Sequence, residues 1–376
     1  MRVPVTLAAL AVVFAVTSAQ QQNQFVGKWE ITGAAPDTRE IYFLDVVDKG
    51  GQLEAKFLDK SSHATPVPWI RVENGELVWQ KGNGSDTLPK PSCGPIYRAK
   101  LEGGKLVGSH VTPGEPCPQV ARVGGAGRRG DGAAPVPSAS AAPAPPPAPP
   151  APPKAPPTPR TINWVGVKQP VFKPANANGA HTYGTPVVIV GAGVGKETWT
   201  GNTPETWQNR CEDRWAVADG AFRNEVAPQG QTPTCNVYTK EKFQDFKAEF
   251  DFVLDAGQNS GFYLRGRHEL QLSLGMNPNS TYPGQLLDIY GWTRTNPAPV
   301  PNPPGEPQSL TVVVVGNRLT ATFNGQKVHD NAEIYAWTGG ALDNKEDQPG
   351  PIMIQGDHSR VTIKKLVITP ITKAGM

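Results

Sequence analysis

Hydrophobic and polar residues alternate with a period of two along much of this chain, and glycine-containing turns separate the alternating segments. Residues 246–254 are the clearest case, because every second residue is apolar and Lys247, Glu249 and Asp251 stand between them. Successive side chains of a β-strand point to opposite faces of the sheet, so this pattern predicts a strand with one buried face. Helical periodicity is nearly absent, and the sequence therefore predicts an all-β protein.

The strand-like segments fall into two regions, which predict two domains. Residues 24–123 predict a small β-barrel or meander, in which Asn74-Gly75 and Gly103-Gly104 are typical hairpin turns. Residues 171–371 predict a larger domain, in which Gly316-Asn317 and Asn324-Gly325 join consecutive strands. A region of about 200 residues with this pattern favours a two-sheet jelly-roll β-sandwich.

Residues 124–161 predict a linker between these domains, since residues 134–159 are nearly all Pro and Ala. Such a segment cannot bury a core and favours the polyproline II conformation. At about 3.1 Å per residue it would reach roughly 80 Å when extended. The sequence therefore predicts two domains that are held apart rather than packed together.

The N-terminus has the features of a signal peptide over residues 1–19. Arg2 supplies the positive charge, residues 7–16 are apolar, and Thr17-Ser18-Ala19 is a suitable cleavage site. The apolar run is too short to span a bilayer, although an uncleaved anchor is the alternative. We expect an exported protein, periplasmic or extracellular, with no membrane span after cleavage. The net charge of +3 is too small to indicate nucleic acid as a partner, and the oligomeric state is left open.

The four cysteines fit an oxidising compartment. Cys93 and Cys117 lie in the first predicted domain, and Cys211 and Cys235 lie in the second. Exported proteins form disulfides, so we predict one bridge within each pair. Thiol titration of the unreduced, unfolded protein would contradict this prediction by finding four free thiols.

Residues 259–272 carry the most informative pattern, which we interpret as one strand with two different faces. Leu264, Leu270 and Leu272 fall on one face, and the other face carries Arg265, Arg267, Glu269 and Gln271. The dense polar row indicates either a surface that binds a polar ligand or a salt-bridged outer face.

Several short motifs in the second region resemble one known family. They are Trp215-Ala216-Val217-Ala218-Asp219-Gly220, Asn259-Ser260-Gly261 with Arg265-Gly266 and Glu269-Leu270-Gln271, Ile289-Tyr290-Gly291, and Gly350-Pro351-Ile352 with Gln355 and His358. In this order over residues 199–371 they resemble the 3-keto-disaccharide hydrolase domain, a concanavalin-like jelly roll. The chain departs from the family pattern at His268, Pro307 and Lys365.

The resemblance implies an enzyme that cleaves a glycoside oxidised at carbon 3. The ketone acidifies the C2 proton, so a base can start an elimination that water addition completes. Glu269 is the expected base, His358 the proton donor, and Arg265 the group that stabilises the enolate. Asn259 and Gln271 would bind sugar hydroxyls, and Tyr290 or Trp292 would stack on a sugar ring.

Other chemistries stay open at this point. A standard glycosidase would need a second carboxylate, and Asp288 or Asp357 could join Glu269. No cofactor is expected; calcium is left open, although no calcium-loop spacing is present. The competing interpretation is a non-catalytic carbohydrate-binding protein, because one fold can carry either role.

Overall fold

The computed structural model describes residues 24–60, 63–81, 94–112, 158–191, 194–201, 215–224, 236–274 and 286–375. In these ranges the regular secondary structure is β-strand, apart from a short 3₁₀ helix at Lys196–Thr198, which confirms the all-β prediction. The predicted signal peptide and Cys93, Cys117, Cys211 and Cys235 lie outside the described residues, so export and disulfides stay predictions. No helix in the described ranges is long and apolar enough to cross a membrane.

Nine antiparallel strands form the sheet of the first domain: β1 (Gly27–Gly33), β2 (Ile41–Asp48), β3 (Leu53–Asp59), β4 (Thr65–Pro66), β5 (Ile70–Glu73), β6 (Glu76–Gln80), β7 (Ile96–Glu102), β8 (Lys105–Thr112) and β9 (Arg160–Lys168). Their order in the sheet is β4-β3-β2-β1-β9-β8-β7-β6-β5. The few residues between β4 and β5 carry the chain from one edge to the other, so the sheet curls around its core. Trp29, Trp79 and Trp164 fill the centre of that core.

The Pro/Ala-rich segment does not connect the two domains as the sequence predicted, but joins two strands of one sheet. Strand β8, before the segment, pairs with β9, after it, and Thr112 lies opposite Arg160. The segment therefore leaves and re-enters the same sheet, joining two neighbouring strands of the first domain. The first domain extends to Lys168, beyond the predicted end at residue 123.

The second domain consists of fourteen described strands: β10 (Thr182–Tyr183), β11 (Val187–Val190), β12 (Trp199–Gly201), β13 (Trp215–Ala218), β14 (Ala221–Asn224), β15 (Val237–Phe243), β16 (Phe246–Val253), β17 (Asn259–Leu264), β18 (His268–Ser273), β19 (Pro307–Val315), β20 (Arg318–Phe323), β21 (Gln326–Glu333), β22 (Gly350–Ile354) and β23 (Thr362–Lys373). One sheet has the order β13-β14-β23-β16-β19-β20-β21, with β10 and β11 also paired to β23. The other sheet has the order β12-β15-β22-β17-β18.

These two sheets pack face to face around one apolar core, as a jelly-roll sandwich requires. Phe250 of β16 stacks on Phe262 of β17, with ring centroids 4.7 Å apart. The apolar face predicted for residues 246–254 is buried in this core. The outer face of the five-stranded sheet is left for a site, and it is the face that carries Glu269.

The two domains pack against each other, so the prediction that they are held apart is wrong. The physical reason lies in β2, which is apolar on both faces. Its residues Tyr42 and Leu44 point into the core of the first domain, whereas Ile41 and Phe43 point outward and pack on Trp337. Because an apolar outer face must be covered, the second domain docks on it.

Polar contacts also cross this interface. The indole Nε1 of Trp337 donates to Oε2 of Glu30 at 2.8 Å, and Asn344 donates to the hydroxyl of Thr32 at 3.0 Å. Gln169 donates to Oε2 of Glu346 at 2.6 Å. Glu30 and Glu346 are both buried, so the interface contains two carboxyl groups.

Candidate active site

Residues 259–272 form a hairpin rather than the single strand that the alternation predicted. Strands β17 and β18 pair with each other, and Arg265, Gly266 and Arg267 form the turn between them. Arg265 has φ 54 and Gly266 has φ 67, a conformation that glycine adopts at little cost. Because the turn has three residues, even-numbered residues of both strands face the core. The predicted faces for Leu264, Leu270 and Glu269 are therefore right although the number of strands is wrong.

Glu269 lies on the outer face of the hairpin, opposite Tyr263 in the register. The Tyr263 hydroxyl donates to Oε2 of Glu269 at 2.8 Å. The other carboxylate oxygen lies over the backbone of Gly261, where an added Cβ would come within 2.4 Å of it. Glycine at position 261 therefore provides the space that the carboxylate occupies.

The surroundings of Glu269 favour its protonated form. The side chain is only 3% exposed, and burial raises the pKa of Glu269 to about 8, while the hydrogen bond from Tyr263 opposes the rise. A carboxyl group with such a pKa can both accept and return a proton near neutral pH, which is the property of a general base or acid.

Tyr263 connects Glu269 to a backbone acceptor. Its hydroxyl oxygen is also 2.9 Å from the carbonyl oxygen of Gly339, and burial raises the pKa of Tyr263 so that it stays neutral. The single hydroxyl hydrogen can serve one acceptor at a time. It bonds to Glu269 when that carboxylate is charged, and to Gly339 when Glu269 is protonated and donates to Tyr263. The arrangement thus accommodates both protonation states of Glu269.

His358 and Asp357 form a pair beside this carboxylate. Nδ1 of His358 lies 2.7 Å from Oδ1 of Asp357, and the histidine side chain is 51% exposed. The hydrogen bond with Asp357 raises the pKa of His358. Both residues interact electrostatically with Glu269: His358 lowers the pKa of Glu269, and Asp357 raises it. The structure therefore brings His358 to the same site as Glu269, with a proton donor facing solvent.

Three further predicted residues border the same face. The Gln271 amide donates to Oδ1 of Asn259, so the two predicted sugar-binding amides lie side by side. The backbone N–H of Tyr290 donates to the carbonyl oxygen of Glu269 at 3.0 Å. The Tyr290 ring meets the ring of His63 from the first domain edge to face, with centroids 6.1 Å apart. A residue of the first domain therefore stands at the rim of the site.

Arg265 and Trp292 are not brought to this face. The Arg265 guanidinium donates to the carbonyl oxygens of Gln244 at 2.6 Å and Gly316 at 2.8 Å, and pairs with Asp245 at 3.2 Å. All its nitrogens thus support turns at the far end of the hairpin.

Trp292 is used at the domain interface. Its Nε1 donates to the carbonyl oxygen of Trp337 at 2.9 Å, and its ring packs on Phe43 and Tyr335. It therefore fills the interface with both its polar and its apolar atoms.

Of the two additional carboxylates considered from sequence, the structure brings only Asp357 to the site. Asp288 is buried and accepts the backbone N–H of Thr295 at 3.0 Å, so it holds a loop. In the described part of the chain no group of three or more His, Cys, Asp or Glu side chains is arranged to hold a metal.

Sequence reasoning missed Tyr263 and Gly261 as parts of the site. Gly261 is the last residue of the Asn-Ser-Gly motif and Tyr263 follows two residues later, where a hairpin register would have placed it opposite Glu269. The signal was the Arg265-Gly266 pair, which is a turn when both residues adopt positive φ.

The second domain is a jelly-roll β-sandwich whose five-stranded sheet has a polar outer face. Residues 195–369 match the model of a family described as the 3-keto-alpha-glucoside-1,2-lyase-like domain. This match confirms the resemblance found from the motifs. A comparison with curated proteins gave no match.

Solved structures with a similar arrangement of strands include the following three proteins. One, provisionally assigned as a glycosyl hydrolase of Parabacteroides distasonis ATCC 8503, is 21% identical, with a TM-score of 0.41 over 54% of this chain and 92% of that chain. An alginate lyase is 12% identical, with a TM-score of 0.30 over 52% and 100%. A carbohydrate-binding module of Bacillus subtilis is 10% identical, with a TM-score of 0.26 over 45% and 93%. Similarity at this level says nothing of activity.

Proposed function

We propose that the second domain cleaves glycosides whose sugar carries a ketone at carbon 3, with Glu269 as the base. The observation that carries this proposal is the state of Glu269. It is a buried carboxyl group with a pKa of about 8, bonded to Tyr263, within the motif that resembles the family. A base of this strength suits the removal of a proton that a neighbouring ketone has acidified.

The steps balance without a co-reactant other than water. The C2–H bond breaks and its proton passes to the Glu269 carboxylate. The electron pair forms a C1–C2 double bond, and the C1–O bond breaks with its pair on the leaving oxygen, which takes a proton from His358. Water then adds its hydroxyl to C1 and gives its remaining proton to His358, while the proton held by Glu269 returns to C2, so the overall result is hydrolysis and both side chains regain their starting states.

The other residues bind and support. Asn259 and Gln271 offer amide groups to sugar hydroxyls, and Tyr290 offers a ring at the rim. Arg265 is left out of the chemistry because its guanidinium is engaged with two carbonyl oxygens and Asp245. It is a positioning residue that holds the hairpin turn.

The test compares a 3-keto-glycoside with its unoxidised parent as substrates for the full-length protein, with released sugar measured by mass spectrometry. We expect release from the keto form alone. Glu269→Gln should lower turnover by about 10²- to 10⁴-fold, the usual contribution of a positioned base. Glu249→Gln is the matched control, because Glu249 is a partly exposed carboxylate on the other sheet. Full activity of the Glu269→Gln protein would remove this residue as the base.

One observation favours the second candidate, a non-catalytic carbohydrate-binding domain. Glu269 is almost fully covered, whereas the polar groups of Asn259 and His358 are more accessible. In that case neither substrate would release sugar, glycans would bind, and Glu269→Gln would leave the affinity unchanged.

Export belongs to the proposal as well. The signal-peptide features of residues 1–19 support it, and N-terminal sequencing of the mature protein should find a start after Ala19. A mature protein that retains Met1 in the cytoplasm would refute it.

A further inference from the structure

A cleft of about 1320 Å³ lies between the two domains, and Glu269 is not among its lining residues. The first domain contributes the loop between β1 and β2, the end of β3 and the start of β9. The second contributes β15 and the loop before β22. Tyr238 lines the cleft and packs with Met353 on Tyr263, so these side chains separate it from the Glu269 carboxylate.

Cationic residues dominate the lining and come equally from both domains. The six cations are Arg39, Lys60 and Arg160 of the first domain and Lys240, Lys242 and Lys345 of the second. The three carboxylates of the lining are Asp37, Glu40 and Asp343. Asp37 already pairs with Arg160, and Asp343 pairs with Arg267 outside the cleft. The carboxylates therefore leave a positive excess.

Four lysines of the cleft carry this excess. Over the ranges that the structure describes, Lys60, Lys240, Lys242 and Lys345 take part in no ion pair. Lys60 is partly covered, and burial together with the neighbouring Arg39 lowers the pKa of Lys60. Like charges that face each other across an interface weaken it. An anion in the cleft would pair with lysines of both domains and remove this repulsion.

The size of the cleft indicates the kind of anion. Sites for small molecules usually have about 300–1,000 Å³, so this cleft is far larger than a single inorganic ion requires. Most of its lining residues are polar or charged, and the exceptions are Ile41, Tyr238, Leu342 and the prolines. A ligand that fills it should be extended, hydrophilic and charged at more than one point.

We propose that the cleft is a second ligand site, which binds an acidic oligosaccharide through charged groups that pair with lysines of both domains. The saccharide part rests on the proposed function of the second domain, whereas the preference for an anion rests on the cleft alone. Ligand binding here joins the two domains and stabilises the folded chain.

The test is a titration of the full-length protein with a carboxylated trisaccharide, a sulfated trisaccharide and a neutral one, followed by calorimetry and thermal unfolding. We expect the two acidic ligands to bind, to raise Tm and to weaken with added salt. The double variant Lys240→Ala with Lys242→Ala should lose about tenfold in affinity, as charge-assisted hydrogen bonds suggest. The control is Lys49→Ala with Lys105→Ala, which removes two exposed lysines outside the cleft, one between β2 and β3 and one at the start of β8.

The outcomes separate the two proposals. Acidic binding that persists in Glu269→Gln supports the cleft even if no substrate is ever cleaved. Equal affinity for the neutral trisaccharide, or an equal loss in the control variant, would overturn the cleft as an anion site. Inorganic sulfate that binds as tightly as the trisaccharides would overturn the oligosaccharide as its ligand. A preference for the sulfated over the carboxylated trisaccharide would identify the charged group.

Discussion

Buried carboxyl groups occur in two regions of the molecule, and their neighbours differ. Glu269 lies on the outer face of the five-stranded sheet, where Tyr263 donates to it and the half-exposed His358 stands close by. Glu30 and Glu346 lie between the domains, where Trp337 donates to the first and Gln169 to the second. Burial raises the pKa of all three.

The difference lies in where the retained proton can go. Beside Glu269, a tyrosine hydroxyl and a solvent-facing histidine can accept or pass on a proton. At the interface, Oε1 of Glu30 is buried and has no donor of its own, and the neighbouring Glu346 raises the pKa of Glu30 further. A proton shared by this pair satisfies that oxygen and stays in place. Burial thus makes both carboxyls hold protons, and the neighbours decide whether the proton serves chemistry or structure.

The largest effect should come from removing the interface donor. Trp337→Ala deletes a fully buried indole and leaves Glu30 without its hydrogen bond. We expect the free energy of unfolding in urea to fall by about 3–5 kcal/mol. Trp337→Phe keeps most of the packing and should cost less, about 1–3 kcal/mol for the unsatisfied carboxyl group. Equal losses of unfolding free energy in the two variants would mean that the stability comes from the hydrogen bond to Glu30 and not from the packing of the indole ring.

A smaller effect should follow from filling the space beside Glu269. Gly261→Ala places a Cβ 2.4 Å from a carboxylate oxygen of Glu269 and 2.7 Å from the Tyr263 ring. Overpacking of this kind costs roughly 1–3 kcal/mol, and the displaced carboxylate should also lose turnover of the keto-glycoside. Urea unfolding and mass spectrometry of released sugar measure the two effects. A variant of unchanged stability and activity would show that Glu269 does not need this position.

The third effect is a pH dependence of stability. The folded state keeps protons on Glu269 and Glu30 that the unfolded chain releases near a pKa of about 4.5, so stability must fall as pH rises. The pKa of Glu269, about 8, sets the upper end of its part of this loss, which runs from about pH 4.5 to pH 8 with at most about 1.4 kcal/mol per pH unit for each proton. The pKa of the buried His268 is lowered to about 3, so below about pH 6.5 this residue takes up a proton on unfolding and opposes the loss. The range from about pH 7 to 8 therefore reports on the carboxyl groups without this opposing contribution.

Urea unfolding of single variants separates the two regions. Glu269→Gln and Glu30→Gln should each remove part of the slope, and the double variant should remove both parts. Glu249→Gln serves as the control, because its neighbour Lys247 lowers the pKa of this partly exposed residue. Glu346, whose pKa burial also raises, should leave a residual slope in the double variant. A slope that is undiminished there would place the titrating groups elsewhere.

The sequence predicted the local pattern well and the long-range arrangement poorly. Alternation identified the sandwich, and the motifs identified the family and the polar face of Glu269. A turn with an odd number of residues preserves the alternation of apolar and polar residues on both sides of it. The pattern therefore predicts a single strand where the structure has the hairpin at Arg265. It also cannot separate a side chain that lines a site from one that supports a turn, which is why Arg265 and Trp292 were placed with Glu269. Their partners Gln244, Gly316 and Trp337 are distant in sequence.

The prediction of the domain arrangement was wrong for a related reason. The doubly apolar strand that contains Ile41 and Phe43 signals an outer face in need of cover, but the Pro/Ala-rich segment suggested separation more strongly. Only the pairing of β8 with β9 shows that this segment does not connect the domains.

The pairing of Thr112 with Arg160 makes the Pro/Ala-rich segment an excursion that the fold tolerates and does not need for its connectivity. A short glycine-containing turn could join β8 to β9 in its place. Loop closure would then cost less entropy, and the shortened protein should be more stable by roughly 2 kcal/mol. The same position offers an engineer an insertion point, where a tag or a whole partner protein could be carried without disturbing either sheet.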